Sequence, residues 1–181
     1  MLILHGVTLF RRKVKLFRGL EEGRELMNLT EILNSIQLSH MSKTVMELLS
    51  LNEKTKERGL VLTPNDVKTL VVFRNKVLRD HARVELDIGV LKELIEVFST
   101  SPYMEREHYV ETINELQEIF YYLRNETEDK IGDVKLIQRM NDFYNGPCAG
   151  SLELLKSKME ELAENFRRDM MCRDSLFEGD D

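Results

Sequence analysis

An all-α fold follows from three features of this sequence. From Met27 to the last ten residues or so, apolar side chains recur at three- and four-residue intervals, the period of a helix that buries one face. No two segments of alternating apolar and polar residues are joined by a tight turn, as a hairpin would require. Only 3 Pro and 9 Gly are present in 181 residues, with no Trp, which suits helices better than a turn-rich sheet protein. The connections between periodic segments are short. The expected architecture is therefore a single compact bundle of about six or seven helices, mainly antiparallel.

Three regions are expected. Residues 1–26 form a basic arm, 27–173 the helical domain and 174–181 a frayed acidic tail. The arm, "MLILHGVTLFRRKVKLFRGLEEGREL", has six Lys and Arg against three Glu. It thus carries +3 of a chain whose formal charge is -6, and the rest carries −9. Its apolar run precedes its charges, the reverse of a secretory signal. Met27 opens "MNLTEILNSI", so the arm reads as a loosely tied terminus or as lying ahead of the native start. Contact of this basic segment with a membrane surface is the weakest of the readings.

Each later element has its own signals. "LTEILNSIQLSHMSKTVMELLSLNEKTKERG" reads as one long or two shorter helices, ending on Lys and Arg before Gly59. In "LTPNDVKTLVVFRNKVLRDHA", Thr63 is the N-cap, Pro64 opens the first turn and Asp66 completes a capping box. Its stripe is Val67, Leu70, Val71 and Leu78. "RVELDIGVLKELIEVF" gives an extended entry and then a helix with Ile88, Leu91, Leu94, Ile95 and Phe98 on one face; Ser101-Pro102 breaks the chain. "MEREHYVETINELQEIFYYLRNE" places Tyr109, Ile113, Leu116, Phe120 and Leu123 on one stripe. "GDVKLIQRMNDFYNG" uses Leu136, Ile137, Met140, Phe143 and Tyr144. "SLELLKSKMEELAENFRRDM", capped by Ser151, uses Leu152, Leu155, Met159, Leu162, Phe166 and Met170.

The stretch "YNGPCAGSLELL" offers turn chemistry and a cysteine together. A thiol at a helix N-terminus would be activated, but Ser151 takes the cap and leaves Cys148 outside the helix. Asn145-Gly146-Pro147 suffices to end one helix and turn the chain, so the stretch reads as a structural corner. Glu105-x-x-His108 is half of a di-iron bundle motif whose second half is missing, so no metal site is expected. No G-x-S-x-G and no His-supported Ser or Cys is found, so no catalytic residue and no cofactor is assigned.

The informative anomaly is Arg74, which falls inside the apolar stripe of its helix. A charge there must be paired or reach solvent. Its structural reading is an ion pair with a carboxylate such as Glu85. Its functional reading is an anion-binding guanidinium with Arg83 nearby. Phe120-Tyr121-Tyr122 spans too much of a helix to face one core, so at least one tyrosine presents its hydroxyl to a groove, a partner or a buried acceptor.

The runs "NEKTKERGLVLTPNDVKTLVVFRNKVLRDHARVEL", "SPYMEREHYVETINELQEIFYYLRNETEDKI" and "NGPCAGSLELL" resemble an uncharacterised bacterial family, a domain of unknown function. The resemblance covers most of the chain from about Met27 onward. It implies a bacterial, cytoplasmic protein and supplies no activity, cofactor or catalytic residue. The two cysteines form no framework, in keeping with a reducing compartment. No apolar run approaches the ~18–20 residues of a membrane span, so no membrane partner is expected. Nor is nucleic acid: Lys68, Arg74, Lys76, Arg79 and Arg83 cannot share one exposed face when Arg74 lies in the stripe.

The expected function is a non-enzymatic protein-binding or adaptor module, with a protein partner or a second copy of itself. The alternative is a small anionic-ligand-binding or enzymatic bundle. Its polar pocket would centre on Arg74, with Arg83, Glu85, Tyr103, Tyr121 and Tyr122.

Overall fold

The computed structural model of the protein describes residues 42–177, and the side chains of its last helix as far as residue 168. The basic arm, the expected start at Met27 and the first part of the first helical segment lie outside the described residues. The described residues from Val45 onward close into one compact unit, which holds everything discussed after α1.

Residues 42–50 are helical (α1), followed by the single turn α2, Asn52–Thr55, and a 3-10 turn, Lys56–Arg58. The segment stops at Gly59 in the left-handed conformation (φ 75°), where a glycine avoids the Cβ penalty. Five longer helices follow: α3 (Pro64–Asp80), α4 (Gly89–Phe98), α5 (Tyr109–Glu126), α6 (Asp133–Asn145) and α7 (Leu152–Phe177). No strand occurs among the described residues. The all-α expectation stands.

Local chemistry places these helices where the sequence puts them. Thr63 Oγ1 accepts from the Asp66 N–H at 3.2 Å and Asp66 Oδ2 accepts from the Thr63 N–H at 2.8 Å, so two orphan donors are satisfied reciprocally. Ser151 Oγ accepts from the Leu154 N–H at 3.3 Å and caps α7. Two boundaries differ from expectation. α5 begins at Tyr109, five residues later than Met104. Ser101 explains the delay, because its carbonyl and hydroxyl take the N–H groups of Met104 (3.3 Å) and Tyr103 (3.2 Å) into a turn. α7 stays helical to Phe177, past the expected end.

The core is continuous across α3 to α7. Leu70, Leu91, Leu94, Ile95, Phe98, Ile113, Leu116, Phe120 and Leu123 are fully buried, as are Leu136, Ile137, Met140, Leu155 and Met159. Each such side chain stabilises the fold by about 1.5–3 kcal/mol through removal from water. Phe143, Leu152 and Leu162 lie at its edge, half-buried.

From α3 to α7, helices adjacent in sequence run antiparallel. α3 and α5 both end, and α4 and α6 both begin, at one end of the bundle. There His81 after α3 bonds Asn125 in the last turn of α5 (3.1 Å), and the first turns of α4 and α6 share a cavity wall. At the opposite end Ser101 donates to Asn145 (2.5 Å), tying the exit of α4 to that of α6. α7 follows α5 as far as an Arg167–Glu126 ion pair at 2.6 Å. The charge network described next lies at the first end.

Candidate functional site

α3 ends without glycine. Ala82 takes φ 52°, and the Arg83 N–H returns to the Leu78 carbonyl at 2.8 Å. A left-handed alanine costs roughly 1–2 kcal/mol, so the residues that follow must be held by something. What holds them is a network of charges.

Arg74 points inward from α3 and is only 5% exposed. Its Nη2 donates to Glu85 Oε2 at 3.2 Å, and also to the Asp87 carbonyl. Glu85 Oε2 further accepts from the Tyr121 hydroxyl at 2.6 Å, and Oε1 from Arg124 Nη1 at 2.6 Å. Arg124 Nε reaches Asp129 at 2.7 Å and Asp133 at 3.3 Å. Arg83 pairs with Asp129 through one nitrogen and with the Asn125 side-chain oxygen through the other. Asn125 Nδ2 then faces His81 Nδ1 at 3.1 Å and the His81 carbonyl at 3.4 Å. Arg83 can only donate and that carbonyl can only accept, so the amide orientation is determined and His81 Nδ1 is an acceptor.

Three guanidiniums thus face three carboxylates, Glu85, Asp129 and Asp133. Burial, then the hydrogen bond and charge of Glu85, push the Tyr121 hydroxyl far above its ordinary pKa, so it stays a donor. Burial alone raises Tyr109 to about 12. For Asp129 burial acts upward, but the hydrogen bonds and charges of Arg124 and Arg83 prevail and hold it below the usual range. Asp133 is raised, by burial first, with Glu85 and Asp129 adding and Arg124 opposing.

These shifts set the acid limb of the stability curve. A folded-state pKa depressed below the unfolded value of ~3.9 makes Asp129 stabilising above that pH, and this is lost as pH falls through the depressed value. Asp133 has the opposite sign: its raised pKa favours the fold at low pH and that contribution fades as pH rises. Asp129→Asn is therefore expected to lower stability at neutral pH, with the gap to the parent closing as pH falls through the depressed pKa of Asp129. Chemical unfolding of the full chain across pH checks it; a pH-independent gap would remove Asp129 from the acid limb.

The segment between α3 and α4 forms a ridge with a shallow cavity on either side. One, about 450 Å³, is lined by Leu86, Asp87, Val90, Glu93, Asp133 and Val134, among others. The second, about 360 Å³, lies against His81, Arg83, Val84, Asn125 and Asp129. Glu85 and Arg124 line both. Along the ridge the exposure alternates. Glu85 turns in, while Val84 and Leu86 on either side are 87% and 89% exposed.

Of the residues singled out in the sequence, Arg74, Glu85 and Tyr121 come together directly, and Arg83 joins them through Asp129 and Arg124. Arg74 has the ion pair to Glu85 that its structural reading named. Two are elsewhere. Tyr103 lies at the opposite end, its ring 6.4 Å from that of Tyr144. Tyr122, rotated by one residue from Tyr121, lines a separate cavity with His81, Glu118 and Lys156. Four members of the network, Arg124, Asn125, Asp129 and Asp133, carry no anomaly of spacing in the sequence that would have found them.

Other candidates are quiet. Glu105 and His108 are both exposed, and no group of His, Cys, Asp or Glu among the described residues could hold a metal ion. Cys148 is buried in the corner and burial raises its thiol pKa, leaving little thiolate. No helix among the described residues is long and apolar enough to cross a membrane.

Residues 47–172 match the model of a family of unknown function, DUF6323. The chain belongs to the DUF6323 family. That span exceeds half the chain and contains every member of the charge network, together with α3 to α6 in full. It agrees with the resemblance to an uncharacterised family noted from the sequence. No curated protein and no solved structure matches the chain.

Proposed function

We propose that this DUF6323 protein is a non-enzymatic protein-binding module that docks a partner through the ridge between α3 and α4. One observation carries this. Glu85 is drawn inward by Arg74, Tyr121 and Arg124, and the backbone it anchors holds Val84 and Leu86 out in water. Single exposed apolar residues are ordinary. Two that flank an inward-facing carboxylate with three hydrogen-bond partners are held in a restricted geometry, and ordering a contact surface before binding lowers the entropy lost on association.

Against the alternative, a small-anion pocket around Arg74, stands the state of the guanidiniums. Arg74 is buried and bonded to Glu85 and Asp87, and Arg83 and Arg124 are engaged by carboxylates. Carboxylates already neutralise all three, and the one nitrogen of Arg74 without a hydrogen-bond partner, Nε, is buried.

The test is site-specific photocrosslinking in cells, with a benzophenone amino acid at Leu86 of the full chain and, as control, at exposed Glu57. The expected result is an adduct of defined mass from position 86 alone, competed by the unlabelled chain. Identical adducts from both positions, or none, would overturn the proposal. A rise in melting temperature with an anionic metabolite, lost in Arg124→Ala, would favour the small-ligand alternative.

A further inference from the structure

The larger cavity beside the ridge suggests what kind of partner fits. Its floor is apolar: Val90 from the first turn of α4 and Ile137 from α6 are both buried. Its rim carries the fully presented Leu86 on one side and Val134, 52% exposed, on the other. Around these lie the carboxylates of Asp87, Glu93 and Asp133. Among the described residues that line it the one cation is Arg124, already divided among Glu85, Asp129 and Asp133, the last at only 3.3 Å. Glu93 makes no ion pair among the described residues, and Asp87 spends one oxygen on the Gly89 N–H at 2.9 Å, the first backbone N–H of α4. The rim is thus short of positive charge. The upward push of Glu85 and Asp129 on the Asp133 carboxyl has the same origin.

We infer that the groove between the first turns of α4 and α6 takes a cationic amphipathic segment of a partner protein. Its apolar side chains would rest between Leu86 and Val134, and its Lys or Arg would meet Glu93, Asp87 and Asp133. This rests on the protein-docking reading above and names the partner's chemistry. Charge complementarity selects this occupant: a neutral apolar segment would bury the rim carboxylates without compensation, and an acidic one would be repelled. A second copy would bring its own acidic rim against this one, under a formal charge of -6 per chain.

The experiment uses the full chain and a fluorescent, amidated Leu/Lys amphipathic peptide of about 18 residues, long enough to form a helix. A Leu/Glu peptide of the same pattern is the control, and anisotropy reports binding. The Leu/Lys peptide is expected to bind and the Leu/Glu peptide not. Binding should fall as salt rises from about 0.05 to about 0.5 M. Glu93→Lys and Leu86→Ser should each weaken it by about tenfold or more. Both positions lie outside the core, and circular dichroism with melting confirms that the variants fold.

Undiminished binding to Glu93→Lys, or equal binding of both peptides, overturns the inference. So does displacement of the peptide by spermine that is unaffected by Leu86→Ser, which would mark a small-cation site, or a dimer in sedimentation that buries Leu86. If neither peptide binds but crosslinking from position 86 still captures a specific partner, the inference fails and the docking reading stands. If both fail, the ridge is not a docking surface.

Discussion

Glu85→Ala is expected to cost the fold about 3–5 kcal/mol, because it removes the carboxylate that compensates a buried guanidinium. Arg74 would keep its charge, with its side chain only 6% exposed and no other carboxylate paired to it, and Tyr121 would lose its acceptor. For a chain of this size roughly 2–4 °C of melting temperature accompany each kcal/mol, so the midpoint should drop by on the order of 10 °C. Thermal and urea unfolding of the full chain measure it. The stability belongs to the pairing, so in an Arg74→Leu background the same Glu85→Ala change should cost much less. A coupling of about 1–3 kcal/mol between the two positions is expected from the double-mutant cycle. A single-variant loss under about 1 kcal/mol would mean that the pair is no more than a surface salt bridge.

Gly150→Ala is expected to destabilise by about 2–4 kcal/mol, for two additive reasons. Gly150 has φ 84°, and a Cβ built there would stand 2.5 Å from the Tyr103 Cβ. That neighbouring atom is fixed to the backbone, so no rotamer change can relieve the contact. Gly150→Asn separates the causes, since asparagine tolerates the left-handed region but still carries a Cβ. It should recover little. Gly59 is the comparison: its φ is 75°, but the atoms its Cβ would meet belong to the far end of the long Arg106 side chain, which can change rotamer. Gly59→Asn should therefore cost under about 1 kcal/mol. Equal costs for asparagine at the two positions, read from chemical denaturation, would refute the steric account of the corner between α6 and α7.

The two predictions draw on different kinds of information. Gly150 sits in a stretch whose turn chemistry is plain in "NGPCAGS", and the corner was legible as such. What was not legible is that Tyr103, far away in the chain, packs on it. Arg74 was conspicuous because it interrupts a helical stripe, and Glu85 was a plausible partner a few residues past the end of the same helix. Arg124 and Asp129 were not conspicuous, since a charge in the last turn of a helix and another in the following turn are ordinary solvated positions. They belong to the network only because α5 ends where α3 ends. Tyr121 and Tyr122 show the intermediate case. One of the two had to find an acceptor or a groove, but which one depends on the rotation of α5 against α3.

The sequence by itself determined the helices, the caps of α3 and α7 and the buried faces, because capping and the 3.6-residue period act among residues a few positions apart. It also identified the one charge that could not lie in its stripe unpaired. The tertiary structure alone decided which carboxylates and guanidiniums meet, which tyrosine donates to Glu85, and that Val84 and Leu86 stand outward beside an acidic groove. Those contacts join residues up to 46 positions apart. They depend on which helix ends the packing brings together, and a single linear pattern does not encode that.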